Sequence, residues 1–413
     1  MKIALIYLNR EKCANQGVGY IASTILDAGY NLDFFDSAYI PIPNLAKQII
    51  EGNYDLILMS ASTFFYSQSV DLAARIKPFT NKTILLGGVH PTMVGGEALD
   101  HAPAIDYLCV GEGEEFILEF LPLFERGEDV RNLANIAYRN DDDKVIVNPP
   151  RPCTDLGTLG RFRHELFQPL SVVQPYPFPG MCYVYATRGC PYACNYCGNS
   201  KYLEMYRKGY LRKKSIDSVI EDLLYLKNNY PAQFLFFGDE MVIFDEAYVS
   251  ELFPRIQTEV QLPYGCMARV ERITPTIVEL FRTTGCQYVG MGVECGDEKF
   301  RREFLNRHMT NQQIIEAFKL LRTIPNIKLT SYNMHKYPVP YDDELTKSTH
   351  ALNDILQPDI MQMSIFFPLR GTKLYDYCVR HNLIDWQKFN NVDDVFTSSV
   401  LKPELFTGEP IDV

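Results

Sequence analysis

The chain has 413 residues, 46% apolar and 22% charged, a composition of folded globular domains and a length beyond one ordinary core. Lys and Arg number 40 against 51 Asp and Glu, a formal charge of −11, so a phosphate backbone would be repelled and nucleic acid is not an expected partner. The basic run Arg207, Lys208, Arg212, Lys213 and Lys214 reads as a solvated loop and helix start.

The N-terminus, Met1-Lys2-Ile3-Ala4-Leu5-Ile6-Tyr7, reads as the start of a first buried strand over Lys2–Leu8, without the apolar stretch and cleavage site of a signal peptide. Further strands are expected at Asn31–Asp36, Asp55–Ser60, Thr83–Leu86 and Tyr107–Val110. Helices fit between them, such as Gly19–Ala28 and Ser67–Lys77, and Glu114–Phe124 closes the series. Strands alternating with helices predict an α/β fold with a doubly wound parallel sheet, whose ligand lies beyond the C-terminal strand ends. A hairpin follows, Ile136–Arg139 and Lys144–Val147, turned by Asn140-Asp141-Asp142-Asp143. The proline-rich segment after it, with Pro149, Pro150, Pro152, Pro169, Pro175, Pro177 and Pro179, reads as a linker over 149–181.

The alternation then restarts. Strands are expected at Cys182–Ala186, Gln233–Phe237, Tyr264–Arg269, Tyr288–Glu294, Lys328–Met334 and Ile360–Phe366, with helices such as Ile216–Asn228, Thr276–Thr283 and Asn311–Thr323 between them. Six β/α units predict a partial barrel over 182–381, preceded by a first domain over 1–148 and followed by a short tail over 382–413. No apolar run reaches the roughly 20 residues that span a bilayer, so no membrane partner is expected. Eleven cysteines, an odd number mostly isolated in apolar surroundings, fit a reducing cytoplasm rather than a disulfide framework.

Three of those cysteines carry the strongest signal. In Thr187-Arg188-Gly189-Cys190-Pro191-Tyr192-Ala193-Cys194-Asn195-Tyr196-Cys197 the thiols stand at C-x3-C-x2-C spacing on a loop after the first barrel strand. Three thiolates so spaced can hold three irons of a cubane cluster and leave the fourth open. The alternative is a structural zinc site with Cys182 as fourth ligand, although no second C-x2-C is present.

The spacing, with Tyr196 before the third cysteine, resembles the radical S-adenosylmethionine (SAM) superfamily. That resemblance implies a [4Fe–4S] cluster on Cys190, Cys194 and Cys197, SAM on its open iron, and an electron from a partner such as ferredoxin or flavodoxin. Gly238-Asp239-Glu240 is similar to the family's Gly-Gly-Glu motif for the SAM amino group, with Asp239 replacing the second glycine; Glu240 also reads as a plain surface carboxylate. The resemblance places Arg269 toward the SAM carboxylate, though it could equally pair with a structural acid. Glu294, in Gly290-Met291-Gly292-Val293-Glu294-Cys295-Gly296, would face the SAM ribose or methionine end.

Residues 1–125 resemble the cobalamin-binding domain that precedes the barrel in one radical SAM class. The resemblance rests on Ser60-Ala61-Ser62-Thr63, Gly87-Gly88-Val89-His90-Pro91 and Val110-Gly111-Glu112-Gly113-Glu114 at adjacent strand ends. It implies cobalamin contacts from Ser60, Ser62, Thr63, Tyr66, Gly87, Gly88, His90 and Glu112. The Asp-x-His-x-x-Gly motif of cobalamin mutases is absent, so His90 is assigned to loop or cofactor-tail contacts rather than to cobalt. Phe64, Phe65 and Tyr66 read either as the floor under the corrin or as plain core.

Together the two resemblances imply cleavage of SAM to a 5′-deoxyadenosyl radical and, with methylcobalamin, methylation of an unactivated carbon. A cyclising, rearranging or oxidising radical enzyme acting on a small metabolite is the alternative; a sensor would need an output domain. The short stretch after the sixth β/α unit favours a peptide or protein substrate, which can close the barrel mouth with its own surface. No catalytic residue is assigned, and Tyr332, Tyr337 and Tyr341 read as packing or as substrate contacts.

Overall fold

In a computed structural model the described residues are 1–391 and 398–406. They form two compact units, Met1–Val172 and Val173–Val413. The first contains β1 (Lys2–Leu8), α1 (Gln16–Asp27), β2 (Asn31–Asp36), α2 (Ile42–Glu51), β3 (Leu56–Ala61), α3 (Tyr66–Thr80), β4 (Thr83–Gly87), α4 (Val89–Val94), β5 (Tyr107–Cys109), α5 (Glu114–Glu125), β6 (Ile136–Arg139) and β7 (Val145–Val147). The seven strands form one sheet in the order β2-β1-β3-β4-β5-β6-β7. Parallel pairing runs from β2 to β5, and the hairpin β6–β7 adds two antiparallel strands at the edge. The central strand β1 is buried along both faces, as its unbroken apolar run requires, whereas edge strand β2 alternates exposed and half-buried.

The first part of the proline-rich segment is not extended. Phe162 and Phe167 are buried, Phe162 lies edge-on to Tyr20 of α1 at 5.5 Å, and Phe167 meets Phe34 of β2 at 4.9 Å. Prolines stop regular structure here, but the interspersed aromatic side chains still find the core.

The second unit contains β8 (Met181–Val184), α6 (Ile216–Asn229), β9 (Phe234–Phe237), α7 (Glu246–Arg255), β10 (Tyr264–Ala268), α8 (Pro275–Thr284), β11 (Cys286–Glu294), α9 (Asn311–Leu321), β12 (Lys328–His335), α10 (Asp342–Leu356), β13 (Ile360–Ile365) and α11 (Lys373–Arg380). The strands are parallel and neighbour one another in chain order. This is the expected six-unit partial barrel. Helix starts follow local chemistry: Ser215 caps α6, Thr274 caps α8, and Thr310 with Gln313 makes a capping box on α9. Within the sheet Phe178 stacks on Phe234 at 4.2 Å and meets Tyr288 edge-on, closing the end where the strands begin. Beyond α11, Ile384 bridges Leu401 and Trp386–Phe389 makes a helical turn. Expectations for the tail over 392–397 and 407–413 fall outside the described residues. Among the described residues no helix is long and apolar enough to cross a membrane.

Gly296, just after β11, leaves no room for a side chain: a Cβ there would lie 2.1 Å from the Ser348 carbonyl oxygen of α10. Gly296→Ala is therefore expected to destabilise the second unit by about 1–3 kcal/mol. Gly209→Ala, where a Cβ meets nothing within 4 Å, is expected to leave the thermal midpoint unchanged. Differential scanning calorimetry of both variants checks the contrast.

Candidate functional site

The three expected cluster thiols lie on the loop between β8 and α6. At its root Thr187–Arg188 pairs antiparallel with Arg212–Lys213, so the chain leaves and returns at adjacent points. Gly189 has φ +105°, and a Cβ on it would lie 2.4 Å from the Tyr210 carbonyl oxygen; only glycine makes this turn into Cys190. On the far side, the Asn195 amide donates to the Leu305 carbonyl at 3.2 Å and its side chain to the Phe304 carbonyl at 2.9 Å. Asn306 Nδ2 donates to the Ala193 carbonyl at 2.6 Å, and the Leu374 amide to the Asn195 carbonyl at 3.0 Å.

Cys194 is buried, and Cys190 and Cys197 are partly buried. Burial pushes the Cys197 thiol up to about 11 and also raises Cys190, against the lowering field of Arg269. Among the described residues no three His, Cys, Asp or Glu side chains converge as they would around a single metal ion. Zinc needs that convergence, whereas a cubane takes each thiolate on a different iron. Cys182, the fourth ligand of the zinc alternative, is fully buried within β8.

The strand-end residues divide into two groups. Asp239 is buried and turned toward the root of the loop, where its Oδ1 accepts from the Ala186 amide at 3.0 Å, the Thr187 amide and the Thr187 hydroxyl at 2.6 Å. Burial, reinforced by Glu240 and opposed by those donors, raises its carboxyl to about 7. Glu240 is exposed and accepts from the Gly189 amide at 3.3 Å, next to Cys190. Gly238 is close-packed, since a Cβ would lie 2.7 Å from the Tyr185 ring.

Arg269 and Glu294 anchor the second group. Arg269 is buried at the end of β10; it donates from Nη1 to Cys194 Sγ at 3.3 Å and from Nη2 to Glu271 Oε1 at 2.6 Å, and its guanidinium lies 3.7 Å from the Tyr192 ring centroid. Glu294 sits at a register shift between β11 and β12 with φ +68°, a conformation rare for glutamate. Its Oε1 lies 3.5 Å from Arg307 Nη1. Arg307 also donates to the Tyr196 hydroxyl at 3.1 Å and to the Gly292 carbonyl. A Cβ on Gly292 would lie 2.4 Å from Glu294 Oε1, so this glycine makes the pair sterically feasible. The structure thus brings Tyr196, Cys194, Arg269 and Glu294 into one network. Glu271 and Arg307 were missed in the sequence because no local motif marks them, and Tyr192 because its place inside the cysteine motif says nothing of a partner 77 residues on.

The first unit groups the expected cobalamin contacts at the C-terminal ends of β3, β4 and β5. Ser60 is the penultimate residue of β3, and Gly88 follows β4 with φ +100°; a Cβ on Gly88 would come within 2.9 Å of both Ala61 N and Ser60 Oγ. Ser62 and Thr63 are half-buried in the turn after β3, and Gly87 ends β4. His90 is buried, with Nδ1 3.3 Å from Thr63 Oγ1 and its ring stacked on Tyr66 at 3.9 Å. Tyr66 donates its hydroxyl to the Ala98 carbonyl at 2.6 Å. Phe65 is buried as core. Glu112 is turned aside from this group: its carboxylate accepts from the Thr154 amide at 2.8 Å.

Comparison with known proteins follows the same division. The model of the radical SAM superfamily matches residues 184–350, and that of the B12-binding domain matches residues 10–121. The chain thus carries a B12-binding domain followed by a radical SAM domain. It is 24% identical over 96% of its length to an uncharacterized methyltransferase of Pyrococcus horikoshii, spanning 84% of that protein. It is 23% identical over 96% of its length to an anaerobic magnesium-protoporphyrin IX monomethyl ester cyclase of Cereibacter sphaeroides, spanning 64% of that enzyme. In fold it superposes on the radical SAM methyltransferase TsrM of Kitasatospora setae with a TM-score of 0.72 at 14% identity, covering 92% of this chain and 77% of the other.

A radical SAM domain implies a [4Fe–4S] cluster and SAM, and a B12-binding domain implies cobalamin; the residues present fit them. Three cysteines and a guanidinium N–H aimed at one sulfur suit a cluster. In the first unit Asp36, at the C-terminal end of β2, has a buried Oδ2 that meets no partner among the described residues, and Gly88, at the same end of the sheet after β4, has no side chain to cover its backbone.

The raised carboxyl of Asp239 sets a pH dependence. A carboxyl whose folded pKa lies above its unfolded value stabilises the fold fully only while protonated, so its contribution is lost as pH rises from about 4 through about 7. Asp239→Asn keeps an acceptor for the Ala186 and Thr187 donors without the charge. In the apoprotein its thermal midpoint is expected to equal the parent's at pH 4 and to exceed it by several degrees at pH 8, as followed by circular dichroism.

Proposed function

We propose that this radical SAM enzyme is a C-methyltransferase that methylates an unactivated carbon. The observation that carries the reading is one chain pairing a B12-binding domain with a radical SAM domain, with a curated relative named a methyltransferase along 96% of its length. When bound, the cluster with SAM supplies a 5′-deoxyadenosyl radical for hydrogen abstraction, and cobalamin supplies the methyl group. Cys190, Cys194 and Cys197 hold the cluster.

The other residues orient and exclude. Glu240 receives the SAM amino group, and the strained Glu294, held by Arg307, faces the ribose. Tyr196 is fixed by the same arginine, which keeps an aromatic wall beside the third cysteine. In the first unit Ser60, Ser62, Thr63, Gly87 and Gly88 offer hydroxyls and close backbone to the corrin and its tail, while His90, committed to Thr63 and Tyr66, shapes the turn they stand on. Glu112 fixes the strand-end loop through Thr154.

A second reading, radical ring closure, is favoured by the cyclase relative. The relatives with named substrates act, by their names, on a porphyrin ester, a phosphonate and bacteriochlorophyllides. None of these names supports the expected peptide substrate, and a small molecule is the substrate class proposed.

The two readings separate without the substrate. Reconstituted anaerobically with iron, sulfide and hydroxocobalamin, then given SAM and a low-potential reductant, a methyltransferase releases S-adenosylhomocysteine in a burst equal to its bound cobalamin. A burst is expected; 5′-deoxyadenosine alone would favour the cyclase reading. Gly88→Ala should lose most of the corrin absorbance and the burst while keeping its iron, because the added Cβ closes the gap to Ala61 and Ser60. Iron analysis and visible spectra of the variant check this.

A further inference from the structure

Arg269 is more committed than a simple SAM ligand needs to be. Three of its five N–H groups are taken: Nε and Nη2 bind the two oxygens of Glu271 at 3.3 and 2.6 Å, and Nη1 meets Cys194 Sγ at 3.3 Å. The Tyr192 ring covers one face of the guanidinium at 3.7 Å, and the Tyr192 hydroxyl accepts from Arg272 Nε at 3.3 Å. Tyr192 lies between Cys190 and Cys194, so the loop that presents the thiols also clamps the cation. The Arg269 side chain is 8% exposed and that of Glu271 24%, so the pair is poorly screened by water.

A hydrogen bond and a positive charge at a ligating sulfur favour the form of a cluster that carries more negative charge. One-electron reduction adds such a charge. We infer that the Arg269–Glu271 pair sets the reduction potential of the cluster: Arg269 raises it through the N–H···S bond to Cys194, and Glu271 limits that rise by neutralising part of the cation. Arg307 is paired with Glu294, whereas the guanidinium in hydrogen-bond contact with a thiol is that of Arg269. The inference rests on Cys194 being a cluster ligand, and it gives Arg269 a task separate from holding the SAM carboxylate.

The two halves of the pair predict opposite signs. The test is an anaerobic redox titration of the reconstituted full chain, with the cluster followed by electron paramagnetic resonance before SAM is added. Arg269→Gln removes a charged hydrogen bond and is expected to lower the reduced fraction at a fixed potential about tenfold, ~59 mV in a one-electron couple. Glu271→Gln leaves the stacked guanidinium in place with its charge unopposed and is expected to raise the reduced fraction. Arg269→Lys, which keeps charge but loses the planar fork, is expected to fall between parent and Gln.

Structural damage would not move the potential in two directions, so the opposed shifts support the inference. Unchanged potentials, or a fall in both variants, overturn it. If Arg269→Gln does not retain a cluster, Glu271→Gln decides alone, and a potential that fails to rise overturns the proposal. SAM is then titrated into the oxidised proteins. A loss of affinity of about tenfold or more in Arg269→Gln with an unmoved potential would make Arg269 a carboxylate clamp instead. Failure of the parent chain to bind iron would overturn the assignment of the cysteines, an outcome distinct from a parent cluster whose potential ignores both substitutions.

Discussion

The carboxylate of Asp239 fixes the point at which the first barrel strand becomes the cysteine loop. Its Oδ1 gathers two successive amides and a hydroxyl from Ala186 and Thr187, while Oδ2 is buried without a partner among the described residues. Burying a carboxylate costs free energy, and the donors offset only part of that cost, which is why its proton is held toward neutrality. The return is geometric. Ala186 is also the acceptor for the Lys214 amide at 2.9 Å, so one short stretch of backbone ties the start of the loop to its end. With the root closed there, and the tip held by Leu305, Phe304 and Leu374, the thiols are presented from a frame anchored at both ends.

Charge around that frame alternates. Arg269 pairs with Glu271, Arg307 with Glu294, and both cations lie close enough to Cys194 to act on it. Buried ion pairs add little net stability, because desolvation consumes most of the Coulombic gain. Their placement is better explained by position. Arg307 links the aromatic residue of the cysteine motif to a bulged strand, where Gly292 has no Cβ to meet the Glu294 carboxylate. The positive φ of Glu294 is strain kept where a side chain must point in one direction.

Much of this architecture is legible in the sequence. β1 matches its expected span because an unbroken apolar run and a following helical pattern have one reading in a parallel sheet, and the half-polar β2 matches as well. The six barrel strands are found within a residue or two for the same reason, and the three cysteines stand out by spacing alone. Interactions across sequence distance are what the pattern hides. Asp239 looks like a degenerate motif residue, yet its partners stand 52 and 53 residues away. Arg307 and Glu271 have no motif, and only the folded chain places them beside Cys194. Nor does composition distinguish a loose proline-rich linker from one whose Phe162 and Phe167 are drawn into the first unit.

The first unit follows the same logic with different chemistry. Its parallel strands run in the order β2-β1-β3-β4-β5, so the direction of chain progression reverses between β1 and β3, and a crevice opens at their C-terminal ends. At that edge the side chains are already engaged with one another. His90 is stacked and hydrogen-bonded, Thr92 accepts from the Gly111 amide at 3.0 Å while donating to the Gly88 carbonyl at 2.8 Å, and Asn9 donates to Asp36 at 2.6 Å. The Thr63 contact occupies Nδ1 of His90, and the Tyr66 ring covers one of its faces. Strand ends whose side chains are largely committed to one another leave shape and backbone approach, with glycine where a Cβ would intrude, as the means of receiving a large cofactor.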